Sequence, residues 1–259
     1  MTLTLADFRA RHSVRSYTPR PLTERQKATL NAAITLINTH EAGMHFSLVT
    51  GDDAPFKGFA RSYGFFTGVK NYIVAVADTS YAWHRVRAGF CGMMLTMKIE
   101  EMGLGSCFVS GTFSASHVDA RVRVGEELLF LITLGEPTLG TDNNMVGRIA
   151  MSIIHRKHKN PGEFLVTGLP VKSLYADIPH LHEALEALAC APSARNKRPT
   201  RLLVDRQLTG NGDEGYRITA EVPKGNKAYE IDLGIALYSV GEMLGGTWDF
   251  GNPATFLPY

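Results

Sequence analysis

The chain has 259 residues, 44% of them hydrophobic and 20% charged, a composition that builds a substantial core as one large domain or two of roughly 130 residues. Lys and Arg number 27 against 25 Asp and Glu, so the net charge of +2 gives no broad electrostatic reason for a nucleic-acid or membrane partner. Three cysteines, Cys91, Cys107 and Cys190, show no CxxC spacing, which argues against a disulfide framework or thiolate zinc site and fits a reducing cytoplasm.

Met1 to Ser16 carries acid and base without an apolar stretch. The longest apolar runs, Tyr72 to Ala77 and Leu128 to Leu134, fall far short of the roughly 20 residues a membrane helix needs, so neither export nor insertion is expected. Thr23 opens a helical pattern with Gln26 placed as in a capping box, and Leu30, Ala33, Ile34 and Ile37 share one face. Phe46 to Thr50 and Tyr72 to Ala77 read as strands, the second apolar on both faces as a central strand is. Between them, Phe56 to Gly68 is a loop whose Phe56, Phe59, Tyr63, Phe65 and Phe66 either pack or cover a flat ligand. Arg87 to Met102 predicts a helix apolar nearly all round, stopped by Gly103-Leu104-Gly105. Ser106 to Val109 begins a strand or loop, and Leu128 to Leu134 is a buried strand ending at Gly135.

The order of elements then begins again. His180 to Ala189 is an amphipathic helix, a Pro and Ser loop follows, and Arg201 to Asp205 is a strand. Asp232 to Gly245 repeats the buried helix: at one fixed offset Gly92 falls on Gly234, Leu95 on Leu237 and Gly103 on Gly245. This order is that of a duplicated α+β unit, with a first half 1–160 and a shorter second half 161–259 that ends its pattern near Gly251.

The densest chemical signal is Arg11-His12-Ser13-Val14-Arg15-Ser16-Tyr17. From charge alone it reads as a solvated basic face, yet two guanidiniums and a hydroxyl so close together also suit a phosphate dianion. This segment resembles the Arg-x-Ser-x-Arg/Lys-x-Phe/Tyr signature of the FMN-dependent nitroreductase family. Ala191-Pro192-Ser193-Ala194-Arg195-Asn196-Lys197-Arg198-Pro199 resembles the family's Pro-Ser-x-x-Asn-x-Gln-Pro loop, with Arg198 and Thr200 departing from it. Glu101 to Gly111, with its Gly103-Leu104-Gly105 turn, is similar to the family's turn into the flavin-contacting loop.

The resemblance implies a nitroreductase-like α+β fold duplicated within one chain, binding FMN and using NAD(P)H as transient reductant for a small, flat acceptor such as a nitroaromatic or quinone. It implies that Arg11 and Ser13 hold the FMN phosphate with His12 contributing backbone, and that Arg15 lies toward the pyrimidine edge. Ser110 and Gly111 match the loop facing flavin N5, Arg156 a second phosphate contact, and Pro192, Ser193, Ala194 and Asn196 the loop that closes the site. The first half lacks the Pro-Ser loop, reading Asn38 to Gly43 in its place, and the second lacks the Arg-Ser segment. One composite FMN site and a monomeric chain are therefore expected. The alternative is a flavin-binding or cofactor-free interaction protein that keeps the fold without turnover. His155 with His158 and His180 with His182 offer imidazole pairs without a third ligand, and no metal is expected.

Overall fold

The computed structural model describes residues 3–57, 65–138, 160–208 and 214–259. In chain order these form α1 (Leu5–Ala10), α2 (Glu24–His40), β1 (Met44–Thr50), β2 (Asn71–Asp78), α3 (His84–Glu101), β3 (Gly105–Val109), β4 (Glu126–Gly135), β5 (Leu165–Val166), α4 (Val171–Asp177), α5 (Leu181–Cys190), β6 (Arg201–Leu208), β7 (Glu214–Glu221), α6 (Lys227–Leu244), β8 (Gly246–Asp249) and β9 (Ala254–Pro258). Contacts divide the chain into two units. One comprises Arg11–His84 and Met94–Arg156; the other comprises Met1–Ala10, Arg85–Met93 and Lys157–Tyr259.

In the first unit, the Thr23 side chain accepts the Gln26 N–H while Gln26 takes the Thr23 N–H at 2.9 Å. Two donors that a helix start leaves open are thereby satisfied. Leu30, Ile34 and Ile37 bury one face of α2. The sheet is antiparallel in the order β1-β2-β4-β3. β2 lies between two partners and buries every residue before Asp78, which accounts for its unbroken apolar run. On the edge strand β1, Met44 and Phe46 point inward while His45 and Ser47 stay exposed, the alternation of a strand with one wet face.

The second unit carries a five-stranded sheet, β5-β6-β7-β9-β8. Leu181, Leu185 and Leu188 of α5 share a core with Phe164, Leu202, Val204, Leu233 and Leu237. Asn226 caps α6 by accepting the Ala228 N–H, and Gly245 ends it in the left-handed conformation, φ 71°, where glycine carries no side-chain penalty. From Asp232 to Gly241 this helix is buried on all sides. The α6 backbone approaches the Arg85–Met93 part of α3 so closely that a Cβ at Gly234 would overlap the Val86 carbonyl oxygen. A Cβ at Gly89 would likewise overlap the Ile231 carbonyl oxygen.

The helix, helix, strand, strand, helix, strand, strand order of α1 to β4 recurs from α4 to β9, apart from the added β5. The sheet order recurs too, since β6-β7-β9-β8 repeats β1-β2-β4-β3. The pattern does not stop near Gly251, as the sequence suggests: Gly251 and Pro253 lie in the connection between β8 and β9, and β9 pairs with both β7 and β8. Both strands are short and lack a long apolar run, so the turn residues between them read as an ending.

Gly234→Ala tests the helix crossing. Its added methyl meets main chain, which cannot rotate aside, and overpacking of this kind costs about 1–3 kcal/mol. Urea unfolding should show a lower midpoint; an unchanged midpoint would mean the helices separate at no cost.

Candidate functional site

In the first unit, residues 13–18 run as an extended strap across the sheet. The Val14 N–H donates to Ser106 O at 2.9 Å, the Thr67 N–H to Arg15 O at 2.9 Å, the Tyr17 N–H to Thr67 O at 3.0 Å and the Thr18 N–H to Glu136 O at 2.9 Å. Glycines make this approach possible. A Cβ at Gly105 would strike Val14, and one at Gly68, where φ is +71°, would strike the Tyr17 carbonyl oxygen. Tyr17 is buried, donates its phenol to Val14 O at 2.6 Å and shares a 2.8 Å hydrogen bond with Thr133. Burial holds that phenol well above its usual pKa.

The predicted residues of this segment differ in exposure. Arg11 is 9% exposed, so it is not part of a solvated basic face; His12 is exposed, and Ser13 and Arg15 are half-buried. Arg15, Arg11 and Ser13 converge on Cys107, where they oppose the rise that burial imposes on the thiol. Glu100 of α3 is raised by burial, against the pull of His12 and Arg11. Ser106, paired with Ser13 across a parallel bridge, is fully buried, and its hydroxyl has no hydrogen-bond partner among the described residues. Ser110 and Gly111 follow β3 and are exposed, and a Cβ at Gly111 would meet no heavy atom within 4 Å. That backbone is open to a ligand. Phe56 and Phe66 pack together with rings 5.5 Å apart, beside Tyr72 and Phe113; Phe59 and Tyr63 lie outside the described residues, as does Arg156.

In the second unit, the loop after α5 is tightly wound. The Asn196 N–H donates to Ser193 O at 2.9 Å, the Lys197 N–H to Ala194 O at 3.1 Å and the Arg198 N–H to Ser193 Oγ at 2.9 Å. Arg195, Asn196 and Arg198 have φ of 52°, 53° and 46°. Left-handed backbone at a non-glycine residue costs on the order of 1–3 kcal/mol and persists where the surroundings hold it. Pro192, Ser193, Ala194 and Asn196 are all half-buried. The Ala194 N–H is given to Asp232 Oδ1 at 2.8 Å, so Ala194 has no spare main-chain donor for a ligand.

Asp232 is the residue that sequence reasoning missed. It is 5% exposed, its Oδ2 is buried with no hydrogen-bond partner among the described residues, and burial pushes its carboxyl up to about 7 although the Ala194 bond pulls down. The one signal was an acid at the head of the apolar run Leu233 to Val240.

This shift has a definite sign. Between the ordinary carboxylate range and pH 7 the folded chain keeps a proton that the unfolded chain has lost, so this group's contribution to stability falls as pH rises through that window. With the carboxyl raised from its ordinary 3.8 to about 7, the loss reaches up to about 4 kcal/mol by pH 8. Asp232→Asn keeps the acceptor and removes the charge. Thermal unfolding from pH 4 to 8 should find the variant close to wild type at pH 4 and more stable at pH 8; parallel profiles would show that Asp232 ionises freely.

The family described as "Putative TM nitroreductase" matches residues 4–243. A solved structure of a putative nitroreductase from Thermotoga maritima MSB8 is 18% identical, covers 99% of this chain and 93% of that one, and superposes with a TM-score of 0.61, a likeness of fold. An FMN-dependent nitroreductase from Clostridium difficile R20291 is 16% identical over 53% of this chain and 90% of its own, with a TM-score of 0.42. A protein from Bacteroides thetaiotaomicron VPI-5482, described as a putative NADH dehydrogenase/NAD(P)H nitroreductase, is 18% identical over 53% and 88%, with a TM-score of 0.43. No curated protein matches. Matched across nearly its whole length and sharing the α+β nitroreductase fold, the chain belongs to the Putative TM nitroreductase family.

Proposed function

We propose that the chain is an FMN-dependent oxidoreductase that draws electrons from NAD(P)H and passes them to a small, flat acceptor such as a nitroaromatic or quinone. The observation that carries this reading is the strap around Cys107. It gathers two guanidiniums and a hydroxyl, one of those guanidiniums withdrawn from water, and this donor set suits a phosphate-bearing cofactor. Bound FMN would supply the redox chemistry, taking a hydride at N5 and returning electrons to the acceptor.

The chain's own residues bind and tune. Arg11 and Ser13 hold the phosphate, with His12 contributing main chain. Arg15 lies toward the pyrimidine edge, where a fixed cation favours the reduced, anionic flavin. The open backbone at Ser110 and Gly111 suits close approach of the ring near N5. On the family resemblance alone, Pro192, Ser193, Ala194 and Asn196 are kept as flavin contacts and Arg156 as a second phosphate contact.

The repeated order of elements and strands supports an internal duplication and, with it, a monomeric chain. The described helices include none long and apolar enough to cross a membrane, and the free cysteines suit the cytoplasm. A second reading, binding or interaction without turnover, has one observation in its favour: Glu100 shares the field of Arg11 and His12, which weakens their pull on an anion.

Two substitutions test the assignment. Arg11→Ala removes a charge-assisted contact worth about 1.5–3 kcal/mol, so FMN affinity should fall roughly 10- to 150-fold with the potential of bound flavin nearly unchanged. Arg15→Ala should instead lower the potential and slow anaerobic reduction by NAD(P)H more than it weakens oxidised FMN binding. Flavin titration and potentiometry on both variants separate the roles. Equal losses of affinity at constant potential would place both arginines on the phosphate, and no loss in either would remove the strap from the site. Flavin that binds but accepts no electrons from either nicotinamide would favour the second reading.

Sedimentation at micromolar concentration should report a single chain. A tight dimer would contradict the monomer.

A further inference from the structure

The Ser193–Arg198 loop meets α6 at two points on one helical face. The Ala194 N–H donates to Asp232 Oδ1 at 2.8 Å, and Lys197 Nζ donates to the Tyr229 hydroxyl at 3.3 Å. Residues three apart on a helix are neighbours, so the two acceptors form one docking edge. The contacts differ in kind. Lys197 reaches Tyr229 through a long flexible side chain, whereas Asp232 grips main chain at the residue that opens the turn, immediately after Ser193. Three non-glycine residues of this loop hold left-handed backbone, a shape that needs an outside restraint.

We propose that Asp232 is a positioning residue for this loop: by accepting the Ala194 N–H it fixes where Ser193 and Asn196 stand, and so sets the affinity for the flavin. The inference rests on the reading that this loop belongs to the FMN site. Asp232 acts on the loop and not on the cofactor, so the acceptor atom matters and the charge does not. Asn at this place keeps the acceptor; Ala abolishes it.

The test compares wild type, Asp232→Ala and Asp232→Asn by fluorescence titration with FMN and by amide hydrogen exchange at Ala194, Asn196 and Lys197. Asp232→Ala should bind FMN about 10-fold more weakly, the effect of one lost hydrogen bond, and should exchange those amides faster. Asp232→Asn should stay within about threefold of wild type in affinity and keep the amides protected. Asp232→Ala with wild-type affinity and exchange overturns the proposal, and so does lowered melting stability with both readouts unchanged. Equal loss in Ala and Asn also overturns it, because the charge would then be what matters.

If Asp232→Ala fails to fold, Ala194→Pro removes the donor instead; extended backbone at Ser193, φ −152° and ψ 159°, accepts a following proline. Wild-type FMN affinity and Lys197 exchange in that variant overturn the proposal. If wild type binds no FMN, the flavin reading fails on its own, and loop exchange alone decides whether Asp232 positions the loop.

Discussion

Everything in the second unit hangs on the place where the α3 and α6 backbones touch. Gly89 and Gly234 leave no room for a Cβ on either helix, so the helices pack main chain to main chain and the rotation of α6 about its axis is fixed. Further along α6, a Cβ at Gly241 would press on the Trp248 indole, whose N–H donates to Leu237 O at 2.8 Å. With rotation set at both ends, the face bearing Tyr229 and Asp232 can turn only toward the Ser193–Arg198 loop. A core constraint thus becomes the geometry of a candidate site. The strap of the first unit uses the same device, since Gly68 and Gly105 admit Tyr17 and Val14.

Each unit also buries one charged group beside its motif, Arg11 in the first and Asp232 in the second. Burying a charge is costly unless it is paired or its pKa moves. Asp232 takes the second route, its carboxyl raised to about 7. Arg11 keeps its charge, because a guanidinium does not lose its proton in this range, and it has partners within the chain.

Much of this fold was legible in the sequence. The Thr23 and Gln26 capping box, the all-apolar β2 and the two Gly-ended buried helices follow from local pattern, because each is set by neighbours within a few residues. β7 was not seen, since Glu214, Arg217 and Glu221 interrupt the apolar residues of a strand with a wet face. The strap was legible as a motif but not as a structure: its partners Thr67, Ser106 and Glu136 are distant in sequence and contribute main chain, which carries no sequence signature. Asp232 escaped for the same reason. Its partner lies 38 residues away and is a backbone N–H, so nothing about Ala194 announces the bond.

The most direct measurement is the identity and amount of flavin released by heat from the purified protein. FMN at one equivalent per chain is the expected result, because the Arg11 to Arg15 segment and the Pro192 to Asn196 loop each occur once in the sequence. Two equivalents would contradict the single site. Protein that neither carries flavin nor takes up added FMN would contradict the flavin assignment itself.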